Sequence, residues 1–218
     1  MTLAELIDSF RIRADDMVAP YLWTDAEITA YLNEADKEAA ERALLIQDET
    51  TSAVCTITLA IGTPTYSLHP SILRIERAKL ASNGEFIKVV SREYLDTTLG
   101  NWESLSGVPK YIVDNGDGTI RLSPNPTAID TISLIVKRLP ITPMSQPADT
   151  PEIPARYHYR LVEWALHLAY IKPDADSGNK GAADRHDVEF TRSFGYRPDA
   201  NVQRKKRDLR IHAVRSSW

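Results

Sequence analysis

Two acidic loops are the first places in this 218-residue chain where side chains could bind a metal ion. Residues 174–178 read Asp-Ala-Asp-Ser-Gly, and residues 114–118 read Asp-Asn-Gly-Asp-Gly. A calcium loop needs oxygen ligands at its first, third and fifth positions, glycine at the sixth and glutamate at the twelfth. Glycine occupies the fifth position of the first loop, and the third and fifth positions of the second. Both patterns therefore predict turns and not calcium sites.

The histidines and the single cysteine lack the spacing of a zinc site. The five histidines are His69, His158, His167, His186 and His212. We expect each of them to have a surface or packing role. Cys55 has no second cysteine with which to form an internal disulfide, so nothing in the sequence points to an oxidising compartment. The sequence predicts no bound metal and no cofactor.

Catalytic motifs are absent from the sequence. It contains no Gly-x-x-x-x-Gly-Lys phosphate loop, no Gly-x-Gly-x-x-Gly, no Gly-x-Ser-x-Gly and no His-Glu-x-x-His. The first 49 residues hold twelve acids against four bases, and glycoside hydrolysis needs two carboxyl groups. Nothing singles out two of the twelve, and amphipathic helices carry charge on their outer face, so we predict a solvated acidic face. The chain is therefore predicted not to be an enzyme.

Two helices are the first elements that must position these residues. Each begins with a capping box, in which a threonine is followed three residues later by a glutamate. The boxes are Thr2 with Glu5 and Thr24 with Glu27. The apolar stripe of the first helix continues to Met17 and Val18, before Pro20 ends the helix, and the second helix is predicted over residues 25–46.

From about residue 53 the apolar period changes to two, which predicts strands. Every second residue from 55 to 61 is apolar, namely Cys55, Ile57, Leu59 and Ile61. Hairpin turns are predicted at residues 83–84 and 115–118. We predict strands near 53–61, 72–81, 86–90, 110–114, 119–123 and 131–139, and one short helix over 91–99.

Helices return after a proline-rich connector. One is predicted up to Pro173 with Pro154 at its first position, and one over residues 179–194 with Gly195 as its stop. Aromatic residues of the first, Trp164 among them, are predicted to lie in the core and in a subunit interface. The predicted class is α+β. Residues 1–50 and 141–196 form a helical bundle, residues 51–140 an inserted antiparallel β domain, and residues 197–218 an extended C-terminal arm.

The C-terminal arm is basic although the whole chain has a net charge of −4. Residues 197–218 carry seven basic and two acidic side chains, together with apolar ones. Three interpretations stay open, namely a solvated tail, a docking arm and a nucleic-acid-binding segment. The docking residues would be Arg204, Lys205, Lys206, Arg207, Arg210, Ile211, Val214 and Trp218. The longest uncharged stretch, residues 50–73, is interrupted by glycine and prolines and predicts strands and turns, not a membrane span.

Short stretches spread over residues 3–198 carry a resemblance to a known family. They are residues 20–25 with 27–28 and 32–35; residues 68–70 with Ile75; Trp102 with 107–109 and Tyr111; residues 122–126; residues 151–154 with 157–158; and residues 164–165 with Tyr170, Lys172 and 174–176. In their order and spacing they resemble the head-to-tail adaptor, or connector, proteins of tailed bacteriophages, particularly those of short-tailed phages.

The resemblance implies a structural protein of the virion neck, present in the host cytoplasm before assembly. It implies a ring, usually of twelve copies, that lies beneath the portal protein, extends the DNA channel and receives the tail or nozzle protein. Genomic DNA would pass without sequence-specific binding, no membrane would be involved, and the C-terminal arm would reach onto the portal. Two alternatives stay open: a DNA-binding protein that uses its basic tail, and a cell-wall hydrolase that uses two of the helical acids.

Overall fold

The chain has an α+β fold, in which helices near both ends flank a segment of strands. The computed structural model describes residues 1–172 and 178–198. In chain order the elements are α1 (Leu3–Ala14), α2 (Asp25–Ala43), β1 (Ile46–Asp48), α3 (Ser52–Cys55), β2 (Thr56–Leu59), β3 (Thr65–Ser67), β4 (Ile72–Leu80), β5 (Phe86–Val90), α4 (Arg92–Thr98), β6 (Ser106–Gly107), β7 (Tyr111–Asp114), β8 (Thr119–Ser123), β9 (Asn125–Pro126), β10 (Asp130–Arg138), α5 (Leu161–Ile171) and α6 (Lys180–Phe194), with 3₁₀ turns at Trp102–Ser104 and Ala155–Arg160.

These elements form two compact units. The helical unit comprises Met1–Gln47 and Lys137–Arg197, and the β unit comprises Asp48–Val136. In the helical unit, α1, α2, α5 and α6 bury their apolar stripes in one core. Its members include Leu6, Phe10, Trp23, Ile28, Leu32, Leu161, Leu166 and Phe190. Both predicted capping boxes are confirmed, because each threonine side chain accepts from the glutamate backbone and each glutamate side chain accepts from the threonine backbone.

The ends of the first two helices differ from the prediction. α1 stops at Ala14, because Asp15 adopts a left-handed conformation with a φ of 56°. Met17 and Val18 consequently lie outside the helix, and both are exposed. α2 stops at Ala43, where Leu44 has a φ of 49°, and Ile46 belongs to β1. In the sequence, the helical spacing of apolar residues continues past the ends of α1 and α2. This spacing does not record where the backbone leaves the helical conformation.

The β unit is built on a mixed sheet. In the described residues the strand order is β1-β10-β4-β5-β7-β8-β3, and β2 also pairs with β10. The β4–β5 and β7–β8 pairs are antiparallel hairpins, which confirms the turns predicted at residues 83–84 and 115–118. Alternate residues on the inner face form the core of this unit. They include Ala78, Leu80, Ile87, Ile112, Ile120, Leu122, Ile132 and Leu134.

The prediction of a wholly antiparallel β domain is wrong. β5 and β7 run parallel, with Lys88 opposite Tyr111, and the short strands β6 and β9 are parallel as well. Parallel neighbours need a crossover connection, usually helical. The predicted short helix supplies it, because α4 lies between β5 and β7 in the sequence and is capped by the Ser91 side chain.

Smaller corrections concern the ends of two predicted elements. Residues 52–55 form the helical turn α3, so the strand begins only at Thr56. Ile61 follows β2 and is exposed, although its alternation with Leu59 suggested burial. Pro154 precedes a 3₁₀ turn, and α5 begins at Leu161. Gly195 does end α6, since its N–H donates to the Thr191 carbonyl. None of the helices in the described residues is long and apolar enough for a bilayer crossing.

Candidate assembly surfaces

The α1–α2 loop, residues 15–24, carries an exposed apolar surface at the end of the helical unit's first helix. The exposed side chains are Ile12 at the end of α1 and Met17, Val18, Tyr21 and Leu22 in the loop. Val18 is 80% exposed. Contiguous exposed apolar side chains on a folded protein mark sites of interaction. We therefore take this loop as the first candidate surface for assembly.

A buried carboxylate fixes the backbone of the α1–α2 loop. Asp16 is only 4% exposed. Its Oδ2 atom lies 2.8 Å from Nη1 of Arg11, and its oxygens accept the backbone N–H groups of Leu22 at 2.9 Å and Trp23 at 3.4 Å. A buried charge is tolerated when it is paired and hydrogen-bonded in this way. Asp16 thus joins the two ends of the loop.

Arg11 and Trp23 complete this anchor. The Nη2 atom of Arg11 donates to Oδ1 of Asp25 at 2.6 Å and to the Trp23 carbonyl at 3.1 Å, and the guanidinium lies 3.7 Å from the ring centre of Tyr21. The Trp23 ring packs edge-on against Phe10, with ring centres 5.6 Å apart. The loop is held in one conformation before any partner binds, which lowers the entropic cost of binding.

Not all acids of the first two helices lie on a solvated face, so that prediction is corrected. Asp16, Asp36 and Glu38 are buried. The backbone N–H of Glu152 donates to Oδ2 of Asp36 at 3.3 Å, and Oδ1 of Asp36 has no hydrogen-bond partner in the described residues. Burial raises the pKa of Asp36 to about 6, and the Glu152 carboxylate adds to this effect. Asp36 thus holds the connector that precedes α5.

Glu163 forms a second buried ionic cluster in the helical unit. Its carboxylate makes a close ion pair with Arg13 of α1 and lies 2.8 Å from Nδ1 of His186 in α6. Burial opposes its ionisation, yet the bonds to His186 and Arg13 hold the pKa of Glu163 below its usual value. The His186 ring stacks on Tyr170. His186 thus packs α6 against α5, and Glu163 links α5 to α1 through Arg13.

The start of the C-terminal arm lies against α2. Arg42 pairs with Glu38 at 2.8 Å and donates to the carbonyl of Gly195 at 3.2 Å. Arg197 lies 3.4 Å from Glu38 and 3.6 Å from Glu41. The chain therefore leaves α6 beside acidic residues of α2. The eight predicted docking residues, from Arg204 to Trp218, lie outside the described residues.

The β unit presents a basic sheet face, which we define by Arg77, Lys79, Phe86 and Lys88. Lys79 lies opposite Phe86 in the β4–β5 pair, and all four side chains are exposed. The guanidinium of Arg77 lies 5.0 Å from the ring centre of Phe86. Their neighbours Ala78 and Ile87 point into the core on the opposite face. This surface could not be predicted from the sequence alone, because it depends on the register between two strands.

The acidic loop at residues 114–118 is a turn, as predicted. Asp114 accepts the N–H of Gly116, and Asp117 accepts the N–H and hydroxyl of Thr119. The bonds from Thr119 lower the pKa of Asp117. Over residues 1–172 and 178–198, no cluster of histidine, cysteine and acidic side chains is arranged to hold a metal. The other acidic loop, at 174–178, lies almost wholly outside the described residues.

A comparison with known protein families identifies the family of this chain. The model of the SU10 adaptor protein family matches residues 1–214. The chain belongs to this family. No curated protein matches the chain. The match confirms the resemblance to phage head-to-tail adaptors, and it identifies the chain as a structural protein of the phage virion whose place is the neck.

Only part of the apolar surface on the α1–α2 loop could be predicted from the sequence. Sequence reasoning did include Tyr21, Leu22 and Trp23 among the residues that resemble adaptors, but it assigned Met17 and Val18 to a helix. It missed the anchor at Asp16, because the pairing of Asp16 with Arg11 depends on the fold of the loop. The sequence does contain one signal for this surface. Apolar residues 17–19 directly precede Pro20, and the aromatic segment 21–23 directly precedes the capping residue Thr24.

Proposed function

We propose that twelve copies of this adaptor form a ring beneath the portal of a DNA-filled capsid. The ring would extend the DNA channel and receive the tail or nozzle protein on its other side. The observation that carries the proposal is the family match over residues 1–214, since it covers both units and most of the arm. In this proposal the helices of the helical unit act as one bundle, and residues 197–218 act as an arm.

The arm would dock on the portal. Contacts of Arg197 with Glu38 and Glu41 support this role, because they give the arm a defined origin on α2. The proposed docking residues are Arg204, Lys205, Lys206, Arg207, Arg210, Ile211, Val214 and Trp218. Exposed ion pairs contribute only about 0–1 kcal/mol each, whereas a buried aromatic anchor contributes about 2 kcal/mol or more. Trp218 would therefore dominate each arm.

The two units would share the remaining contacts. The α1–α2 loop offers a preorganised apolar surface, which suits a lasting contact inside the neck. The β unit would contact the next tail component or neighbouring subunits. The first 49 residues carry an excess of acids, and a channel wall that is not basic would let DNA pass without sequence-specific binding.

Co-expression with the portal protein of the same phage genome tests the proposal. We expect a portal-bound ring of twelve adaptors in electron micrographs of the purified complex. An adaptor that never associates with the portal would contradict the proposal. Salt-dependent binding of duplex DNA at submicromolar concentration would instead favour the DNA-binding alternative, and peptidoglycan cleavage would favour the hydrolase.

A further inference from the structure

The basic sheet face combines positive charge with one apolar anchor. Arg77, Lys79 and Lys88 surround Phe86, whose side chain is 62% exposed. Glu76, the acid next to Arg77 in β4, is already paired with Arg74. Aromatic and arginine side chains are enriched at protein interfaces, and Phe86 and Arg77 supply one of each here. Such a surface calls for an acidic partner with an apolar centre.

The outer face of α1 has that character. Glu5 and Asp8 are exposed on α1, and Asp15 is exposed at its C-terminal cap. Ile12 lies between Asp8 and Asp15 and is 65% exposed. Residues three or four apart share one face of a helix, so Glu5, Asp8 and Ile12 form one stripe opposite the buried Leu6 and Phe10, and Asp15 follows at the helix end. We call it the acidic α1 stripe.

The basic residues near this stripe are directed elsewhere. Arg11 is buried and pairs with Asp16, and Arg13 pairs with the buried Glu163. The stripe therefore presents the carboxylates of Asp8 and Asp15 on either side of Ile12, and that of Glu5, which also accepts the Thr2 N–H, at its N-terminal end. The basic sheet face presents three cations around one phenylalanine. The two surfaces of one chain are complementary in charge and both have an apolar centre.

We propose that the basic sheet face of one copy binds the acidic α1 stripe of the next copy. The inference rests on the proposed ring, for which it supplies the subunit contact. Two different surfaces meet in such a contact, so it is heterologous, and heterologous contacts close into rings when the rotation between subunits permits. Charge complementarity fixes the register and orientation of this contact, while burial of Phe86 against Ile12 excludes water.

Two variants that each spoil one surface test this contact. The first, Lys79→Glu with Lys88→Glu, reverses the charge of the sheet face. The second, Asp8→Lys with Ile12→Lys, neutralises the stripe and removes its apolar centre. Each variant alone lacks one of its two surfaces, so its self-association should weaken by about tenfold or more. An equimolar mixture still contains one intact sheet face and one intact stripe, so it should associate at least as heterodimers and more strongly than either component alone.

Sedimentation velocity from micromolar to several hundred micromolar concentrations measures these species. The matched control is Lys37→Glu with Lys180→Glu, which makes the same charge change at exposed lysines of α2 and α6. It should associate like the unaltered chain, and all variants should keep their thermal midpoints.

The proposed contact would be overturned by a mixture that associates no better than its components, by an equal loss in the control, or by an unaltered chain that is monomeric throughout. A ring of either double variant on the portal, formed as readily as by the unaltered chain, would also refute the contact and leave the proposed function standing. Failure of the unaltered chain to form any ring on the portal would refute the proposed function itself.

Discussion

Asp16 combines an ion pair with two backbone hydrogen bonds at a buried position in the helical unit. The ion pair is with Arg11, and the two N–H groups belong to the α1–α2 loop. Removing one partner of a buried ion pair costs about 3–5 kcal/mol, because the other charge stays buried without compensation. We expect Asp16→Ala to lower the free energy of unfolding by about that amount, as measured by urea denaturation.

A matched change on the surface of α1 provides the control. Asp8→Ala removes an exposed carboxylate and should change the unfolding free energy by no more than about 0.5 kcal/mol. Equal stability of the Asp16→Ala and Asp8→Ala variants would show that Asp16 does not hold the loop.

Asp36 makes the stability of the helical unit depend on pH. Its pKa of about 6 in the folded state exceeds the ordinary 3.8, so folding favours the protonated form. The stabilisation from this proton is complete below the unfolded pKa and is lost as the pH rises through about 6. Asp36→Asn removes the buried charge, so it should raise the unfolding free energy by about 1–3 kcal/mol at pH 8 and change it little at pH 4.

Urea denaturation of both proteins at the two pH values measures this difference. The control Asp8→Asn lies on the exposed face of α1 and should shift stability similarly at both pH values. An Asp36→Asn variant that is less stable than the unaltered chain at pH 8 would mean that the ionised carboxylate stabilises its contact with Glu152.

At the level of elements, the two hairpin tips should tolerate added residues. Asn83 and Gly84 are exposed between β4 and β5, and Asp117 and Gly118 are exposed between β7 and β8. Lengthening a surface turn adds little closure entropy, about 0.6 kcal/mol per doubling of loop length. We expect a Gly-Ser-Gly insertion at either tip to lower the unfolding free energy by about 1 kcal/mol or less.

The same insertion inside β4 is the control for the tips. Placed between Ala78 and Lys79, it would shift the register and turn core residues toward solvent, so the chain should not fold. Loss of folding with either tip insertion, seen by circular dichroism, would contradict the assignment of these turns as surface hairpins.

Elements specified by local chemistry could be predicted from the sequence, and elements specified by distant contacts could not. The capping boxes at Thr2 and Thr24 act within one turn of helix, and Asn83-Gly84 dictates its own turn. The end of α1 depends instead on the burial of Asp16 beside Arg11. The parallel pairing of β5 with β7 depends on how residues 91–110 cross the sheet, which no periodicity within a strand records.

The same division applies to the assembly surfaces. Basic and apolar residues of the arm are visible in the sequence, because they are contiguous there. The basic sheet face joins Lys79 with Phe86 through strand pairing, and it becomes visible only in the fold. The acidic stripe could be read from the helical spacing of Glu5, Asp8 and Ile12, but its complement could not.

At the level of the whole molecule, the purified chain should be monomeric at micromolar concentration and only weakly associated at several hundred micromolar in the absence of the portal. The ionic contacts available between copies are exposed, and exposed ion pairs contribute only about 0–1 kcal/mol each. The portal would gather copies and raise their effective concentration. Analytical ultracentrifugation at micromolar concentration should therefore show monomers, and a stable dodecamer without portal would contradict this expectation.

The arm should attach the assembled ring to the portal without contributing to the fold of either unit. Each arm combines weak, salt-sensitive ion pairs with the apolar anchors Ile211, Val214 and Trp218, and repetition around a ring multiplies weak contacts through effective concentration. Deletion of residues 199–218 should leave the thermal midpoint unchanged, because the contacts of Arg197 with Glu38 and Glu41 are kept, while portal binding is lost.

Trp218→Ala is the milder variant and should weaken portal binding more than Arg215→Ala does, since a buried aromatic anchor contributes more than one exposed charge. Calorimetry of the truncated chain and pull-down on the portal at two salt concentrations measure both effects. Full portal affinity of the truncated chain would refute the docking arm and make residues 199–218 a solvated tail.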